Sequence, residues 1–162
     1  MQDEMVADAG LRPAFEALLI EYVSRIDEDR LEDLIELFCE DASYRIIPRE
    51  NVEQDLPLTL MLCENRRMLR DRIVSLREAN IYNLHYDRHL LSCVRHLGEK
   101  DGIHHVEAAF AVYQTSTEGV TRLFSVGKYV DRIVRRGDRF LFADKTVVVD
   151  TAAVPTLLAT PI

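Results

Sequence analysis

After Asn80 the hydrophobic pattern of this chain changes period, and that change restricts the fold more than any other feature. Residues 86–97, 103–117, 120–135 and 139–149 are long and rich in Val, Phe, Tyr and Thr, side chains that suit a pleated, half-buried surface. In the second of them Val106, Ala108, Phe110 and Val112 alternate with His105, Glu107, Ala109 and Ala111, the two-residue period of a strand. Turn chemistry separates the segments: Gly98 with Asp101-Gly102, then Glu118-Gly119, then Arg136-Gly137-Asp138. Short turns between long strands imply antiparallel hairpins.

The first half reads as helical. Phe15, Leu18, Leu19, Tyr22, Val23 and Ile26 recur at the spacing of one apolar helix face. Pro13 fits the first turn, where its missing N–H would be unpaired anyway. Asp29-Arg30-Leu31-Glu32 has the form of a capping box, with Asp in place of Ser or Thr. It predicts a second short helix with Leu31, Leu34, Ile35 and Phe38 facing inward. A first strand is expected from Asp41 to Ile47, ended by Pro48. Leu58 to Cys63 reads equally as a buried strand or a helix start. The helical period returns from Asn65 to Ala79, with Leu69, Ile73 and Leu76 on one face.

Helices followed by long antiparallel strands give an α+β chain. A twisted sheet of this length must cover one face, and three helices are the cover available. The expected form is a curved, long-stranded antiparallel sheet wrapped around three N-terminal helices, a cone with an interior pocket. The 162 residues suit one domain, 1–162. A chain of this size buries roughly 70% of its unfolded surface, so neither a disulfide nor a metal is needed for folding.

A formal net charge of -8 argues against DNA or an anionic membrane as the main partner, since both require basic surface. The three cysteines, Cys39, Cys63 and Cys93, form no CxxC pair and read as reduced thiols of a cytoplasmic protein. The acidic start MQDEMVADAG lacks the apolar core of a signal peptide, and no apolar run approaches the ~20 residues of a membrane helix.

Residues 68–92 concentrate the candidate chemistry, with Arg70, Arg72, Arg77 and Arg88 beside His85, Asp87 and His89. Two histidines and a carboxylate are the side chains of a mononuclear iron site. On a strand, however, His85, Asp87 and His89 share a face with about 7 Å between successive members, too far apart for all three to reach one metal. His104 and His105 point to opposite faces, and Cys93 with His96 has no second pair to complete a Rieske cluster. No metal is expected in this chain. For acid–base chemistry Asp27, at the end of the first helix, and His85 are the candidate pair, with Tyr22, Tyr44 and Tyr82 as pocket hydroxyls. Arg72 and Arg88 stand beside Asp71 and Asp87 and suit forked ion pairs within or between subunits; together with His89 they form the expected structural and interface set. The apolar tail 151–162, uncharged from Val154 onward, is expected to dock on its own sheet or on a neighbouring subunit.

The blocks Leu69-Arg-Asp-Arg72-Ile73, Arg88-His89-Leu-Leu-Ser92 and Val126-Gly127-Lys-Tyr-Val-Asp131-Arg132, with the ending Phe140 to Asp150, resemble the small (beta) subunit of aromatic-ring-hydroxylating dioxygenases. The likeness covers nearly the whole chain; Cys93 departs from it, standing where a polar residue such as Asn is expected. The resemblance implies the cone fold of ketosteroid isomerase and scytalone dehydratase. It also implies a mainly structural subunit whose large (alpha) partner carries the Rieske iron–sulfur cluster and the mononuclear iron. Three large and three small subunits would form a hexamer served by a reductase and in some members a ferredoxin. The stretch Pro48 to Asn51 through Asp55 to Pro57 is similar to members acting on aromatic acids such as salicylate, anthranilate or terephthalate. The competing reading is a free-standing isomerase or dehydratase using Asp27 and His85.

Overall fold

The computed structural model describes residues 10–79, 84–151, 158 and 160–162. Helix α1 (Arg12–Asp27) carries Pro13 in its first turn and buries Phe15, Leu18, Leu19, Tyr22, Val23 and Ile26, the face its spacing predicts. It ends on a left-handed residue, Asp29, with φ of 56°. The Arg30 N–H then reaches back to the Arg25 carbonyl at 2.7 Å, the long bond of a Schellman motif. Asp29 therefore terminates the first helix and does not cap the second. The expected capping box is corrected accordingly: α2 (Leu31–Leu34) has Arg30 at its N-cap and no side-chain cap bond. The carboxylates of Asp29 and Glu32 instead accept from Arg77, at 2.8 to 3.0 Å.

A 3₁₀ turn over Ile35–Leu37 leads directly into β1 (Phe38–Pro48), so Phe38 enters the core from a strand and not from a helix. Helix α3 (Arg49–Glu53) and strand β2 (Met61–Cys63) occupy the segment that the sequence leaves open. Helix α4 (Arg66–Glu78) buries Leu69, Ile73 and Leu76. The Asn65 side chain caps it by accepting the Met68 N–H at 3.0 Å.

Four long strands follow: β3 (His85–Lys100), β4 (Ile103–Ser116), β5 (Thr121–Arg136) and β6 (Arg139–Val149), each antiparallel to the next. The turn between β3 and β4 places Asp101 and Gly102 at φ of 55° and 76°, the two positive angles of a type I′ hairpin. The sheet order is β2-β1-β6-β5-β4-β3. The α+β class and curved sheet hold, with one pairing of a different sense: β1 runs parallel to β6, Arg45 opposite Thr146 and Ile47 opposite Val148. A parallel pair needs a long crossover, and everything from α3 to β5 supplies it.

The inward face of the sheet meets α1 and α4 in one core. Tyr22 of α1 lies edge-on to Phe38, Tyr129 and Phe142, with ring centroids 5.6 to 6.2 Å apart. Gly127 allows the close approach beneath this cluster. A Cβ there would stand 2.0 Å from the Val148 carbonyl oxygen and 3.1 Å from the Phe110 ring.

Candidate functional site: the interior of the cone

Period-two alternation along β3 turns Tyr86, Arg88 and Leu90 outward and His85, Asp87 and His89 inward. Asp27, in the last turn of α1, meets this strand at His89. Its Oδ2 accepts the His89 main-chain N–H at 2.9 Å, and its Oδ1 lies 2.5 Å from Nδ1. Both side chains are buried, His89 to 1% and Asp27 to 6% exposure. Nδ1 faces the carboxylate, and Nε2 points away from it. That Nε2 is buried without a hydrogen-bond partner among the described residues.

The pairing differs from the one expected. Asp27 commits both oxygens to His89, and His85 is not brought to it. His85 Nε2 lies 3.5 Å from Asp87 and 3.2 Å from the Gln114 amide nitrogen. Burial raises the Asp87 carboxyl above its usual range, with His85 and His89 nearby pulling the other way. The inward face of β3 thus binds one histidine to the helix and another to the neighbouring strand. Among the described residues no group of three or more His, Cys, Asp or Glu side chains is placed to hold a metal ion. His85 faces Asp87 and Gln114, while His89 faces Asp27.

The arginines also distribute differently from the neighbouring carboxylates in sequence. Arg88 leans towards Asp27 at 3.9 Å with its side chain 72% exposed, and does not fork onto Asp87. Asp71 faces Arg67 one helical turn away, at 4.0 Å on the surface. Arg72 donates to the Leu158 carbonyl at 3.3 Å, while its Nε is buried without a partner among the described residues. Adjacent residues on a helix or strand point apart, which is why sequence neighbours did not pair.

Deeper in the cone lies a pair that sequence reading missed. Asp131 on β5 and Lys145 on β6 are directly opposite in register, fully buried, and joined at 3.0 Å and 3.2 Å. The Lys145 ammonium also lies over the rings of Tyr129, Tyr22 and Phe142, at 3.8, 4.2 and 4.6 Å from their centroids. Burial pushes Asp131 up to about 6 and Lys145 down to about 8, against the pull of each on the other. A signal was present: Asp131 shares its strand face with Tyr129 and Ile133, and Lys145 shares its face with Val147 and Val149, all buried. A charge at an inward position on each of two adjoining strands is the mark of a buried pair.

Beside this pair the end of the described chain enters the core. The Ile162 side chain is buried, its main-chain oxygen accepts the Tyr22 hydroxyl at 2.6 Å, and its N–H donates to the Tyr44 hydroxyl at 2.9 Å. Burial raises both phenols above their usual range. Tyr82, the third expected pocket hydroxyl, falls outside the described residues.

Comparison with known proteins places this geometry in context. The family model described as the ring hydroxylating beta subunit matches residues 23–156. The chain is 45% identical over 141 residues to the anthranilate 1,2-dioxygenase small subunit of Burkholderia cepacia, covering 87% of this chain and 88% of that one. It is 28% identical over 141 residues to subunit beta 1 of the terephthalate 1,2-dioxygenase terminal oxygenase component of Comamonas sp, covering 87% and 92%. Among solved structures, a chain assigned as the beta subunit of an aromatic-ring-hydroxylating dioxygenase from Novosphingobium aromaticivorans superposes with a TM-score of 0.85 at 39% identity, over 93% of this chain and 96% of that one. A protein assigned as a scytalone dehydratase from the same organism shares the fold alone, with a TM-score of 0.68 at 17% identity over 93% and 91%.

Proposed function

We propose a function for a chain that belongs to the ring-hydroxylating beta subunit family: it is the structural, non-catalytic small subunit of a multicomponent oxygenase that attacks an aromatic acid. Small subunits of these dioxygenases pair with large oxygenase subunits. The observation that carries the reading is the 45% identity to an anthranilate dioxygenase small subunit across most of both chains. The geometry supports it, because the histidines of β3 serve the fold: His89 ties the sheet to α1 and His85 faces Asp87 and Gln114.

In this reading the large subunit holds the Rieske cluster and the mononuclear iron, three copies of each chain assemble in the cytoplasm, and a reductase, with or without a ferredoxin, delivers electrons to the partner. Arg88, exposed on the edge strand, and Asp71, exposed on α4, are offered to neighbouring subunits. Arg72, Asp87 and His89 hold the cone in shape. The end of the tail docks on its own subunit, a reading supported by the burial of Ile162 and by the bond from Arg72 to the Leu158 carbonyl.

The test is assembly. The chain co-expressed with a ring-hydroxylating large subunit from its own host should elute as one species whose mass by light scattering matches three of each chain. Two separate peaks at micromolar concentration would overturn the assignment.

A further inference from the structure

The two edges of the sheet, β3 and β2, carry exposed apolar surface of different kinds. At the β3 edge Tyr86 and Leu90 stand two residues either side of Arg88 on the outward face. Arg88 is opposite Tyr113 on β4, and Tyr113 is opposite Leu123 on β5. All five side chains are exposed. Neighbouring strands lie about 4.8 Å apart, so they form one continuous patch. Tyrosine and arginine are the residues that anchor protein interfaces.

The other edge is an arm of leucines. Leu58, Leu60 and Leu62 are exposed while Met61 and Cys63 turn into the core, and Val52 and Leu56 add to the same surface. The Leu60 N–H donates to the Ile46 carbonyl at 2.8 Å and holds the arm to β1. The charges of the arm are acidic. Glu50, Glu53, Asp55 and Glu64 are exposed and take part in no ion pair among the described residues, whereas Arg49 is paired with Asp150 at 2.9 Å. A soluble chain rarely leaves apolar patches of this kind uncovered.

Neither surface suits a second copy of itself. Arm against arm sets carboxylate against carboxylate, and patch against patch brings Arg88 towards Arg88. Patch against arm is complementary: tyrosines and leucines meet leucines, and the arginine meets carboxylates.

We propose that this chain binds a second copy of itself head to tail, the Tyr86, Arg88 and Leu90 face of one copy seated on the Leu58, Leu60 and Leu62 arm of the next, with Arg88 turned to Glu53 and Asp55. Because the two faces differ, each copy uses both, and such contacts close into a ring. That the ring holds three copies rests on the small-subunit reading above.

The test is sedimentation velocity on the full chain, purified without a large subunit, across the micromolar range. One species of three times the chain's mass is expected. Leu58→Glu with Leu60→Glu, at positions exposed in the single chain, should keep the wild-type circular dichroism and lower the association constant at least about tenfold. Arg88→Glu should weaken it similarly. Arg88→Glu combined with Glu53→Lys and Asp55→Lys should restore it, a rescue that damage to the fold would not give. A monomer throughout the range, an oligomer that none of the variants weakens, or a folded triple variant that stays dissociated would overturn the contact. A wild type that is monomeric alone and assembles only with a large subunit overturns it too and leaves the small-subunit reading standing. A ring that ignores the large subunit keeps the contact and removes that reading.

Discussion

Asp27 holds His89 twice, through the ring nitrogen and through the main-chain N–H. His89 lies on β3, an edge strand of the sheet, so the end of α1 closes one of the backbone groups that an open edge would leave exposed to another chain. This contact fastens helix to sheet. Asp27→Ala removes both bonds and leaves two buried donors unpaired. It should cost about 3 kcal/mol, two bonds to a charged acceptor at the lower end of their range. Urea unfolding followed by circular dichroism measures this directly, and a loss below about 1 kcal/mol would show that the contact is incidental.

The buried pair Asp131 and Lys145 gives an opposite expectation for single and double changes. Lys145→Met strands the Asp131 carboxylate in the core and should cost about 3–5 kcal/mol. Changing both together, Asp131→Leu with Lys145→Met, removes the two desolvated charges at once and should leave stability within about 1 kcal/mol of the wild type or above it. If the double change costs as much as the single one, the pair contributes more than its desolvation takes away.

The same pair sets a pH signature. The Asp131 carboxyl titrates near 3.8 when exposed and at about 6 in the fold, so the folded state holds the extra proton between those values. Its contribution to stability therefore falls as pH rises from about 4 to about 6. Lys145 titrates near 10.5 when exposed and at about 8 in the fold, so the unfolded chain holds the extra proton there and stability rises from about pH 8 to about 10.5. Melting temperatures of the wild type minus those of the double variant, measured across pH 4 to 10, should trace a trough between about 6 and 8. A flat difference would contradict it.

Tyr22 and Tyr44 seat the main chain of Ile162. The double change Tyr22→Phe with Tyr44→Phe keeps both rings and removes the bonds, leaving the Ile162 amide and oxygen buried and unpaired. It should release the end of the chain without unfolding the cone. Amide hydrogen exchange at Ile162 should speed up by at least tenfold while exchange in β5 and β6 stays slow; equal protection in both proteins would mean that apolar packing alone holds the tail.

Gly127 is required by space. With a Val148 carbonyl 2.0 Å from where its Cβ would stand, Gly127→Ala forces two strand backbones apart. A destabilisation above about 3 kcal/mol is expected, large for a one-carbon change, and a melting temperature within a degree or two of the wild type would refute it.

Much of this fold could be read from the chain, and the gaps have physical causes. The buried faces of α1 and α4 and the four long strands follow from hydrophobic period, which is local information. The parallel pairing of β1 with β6 joins residues about a hundred positions apart, with nothing in either strand to announce its direction. At Asp29 the sequence is ambiguous, because an acidic residue before a helix and one ending a Schellman motif look alike until φ is known. Of the candidate pair, Asp27 lies against His89 and not against His85. Period two placed both His85 and His89 inward, but which of them lies under the end of α1 depends on how the helix crosses the sheet. Asp131 and Lys145 were readable in principle, as charges at inward positions of adjoining strands.

The central claim is that this chain supports oxygenase chemistry carried by a partner. The most direct measurement is iron and turnover on three samples: the purified chain, the large subunit alone, and the two co-purified. The account predicts iron below about one-tenth per chain in the small subunit by itself and no conversion of an aromatic acid such as anthranilate. It predicts both iron and activity in the complex when a reductase is supplied. Stoichiometric iron in the small subunit alone, or turnover without the large subunit, would contradict it.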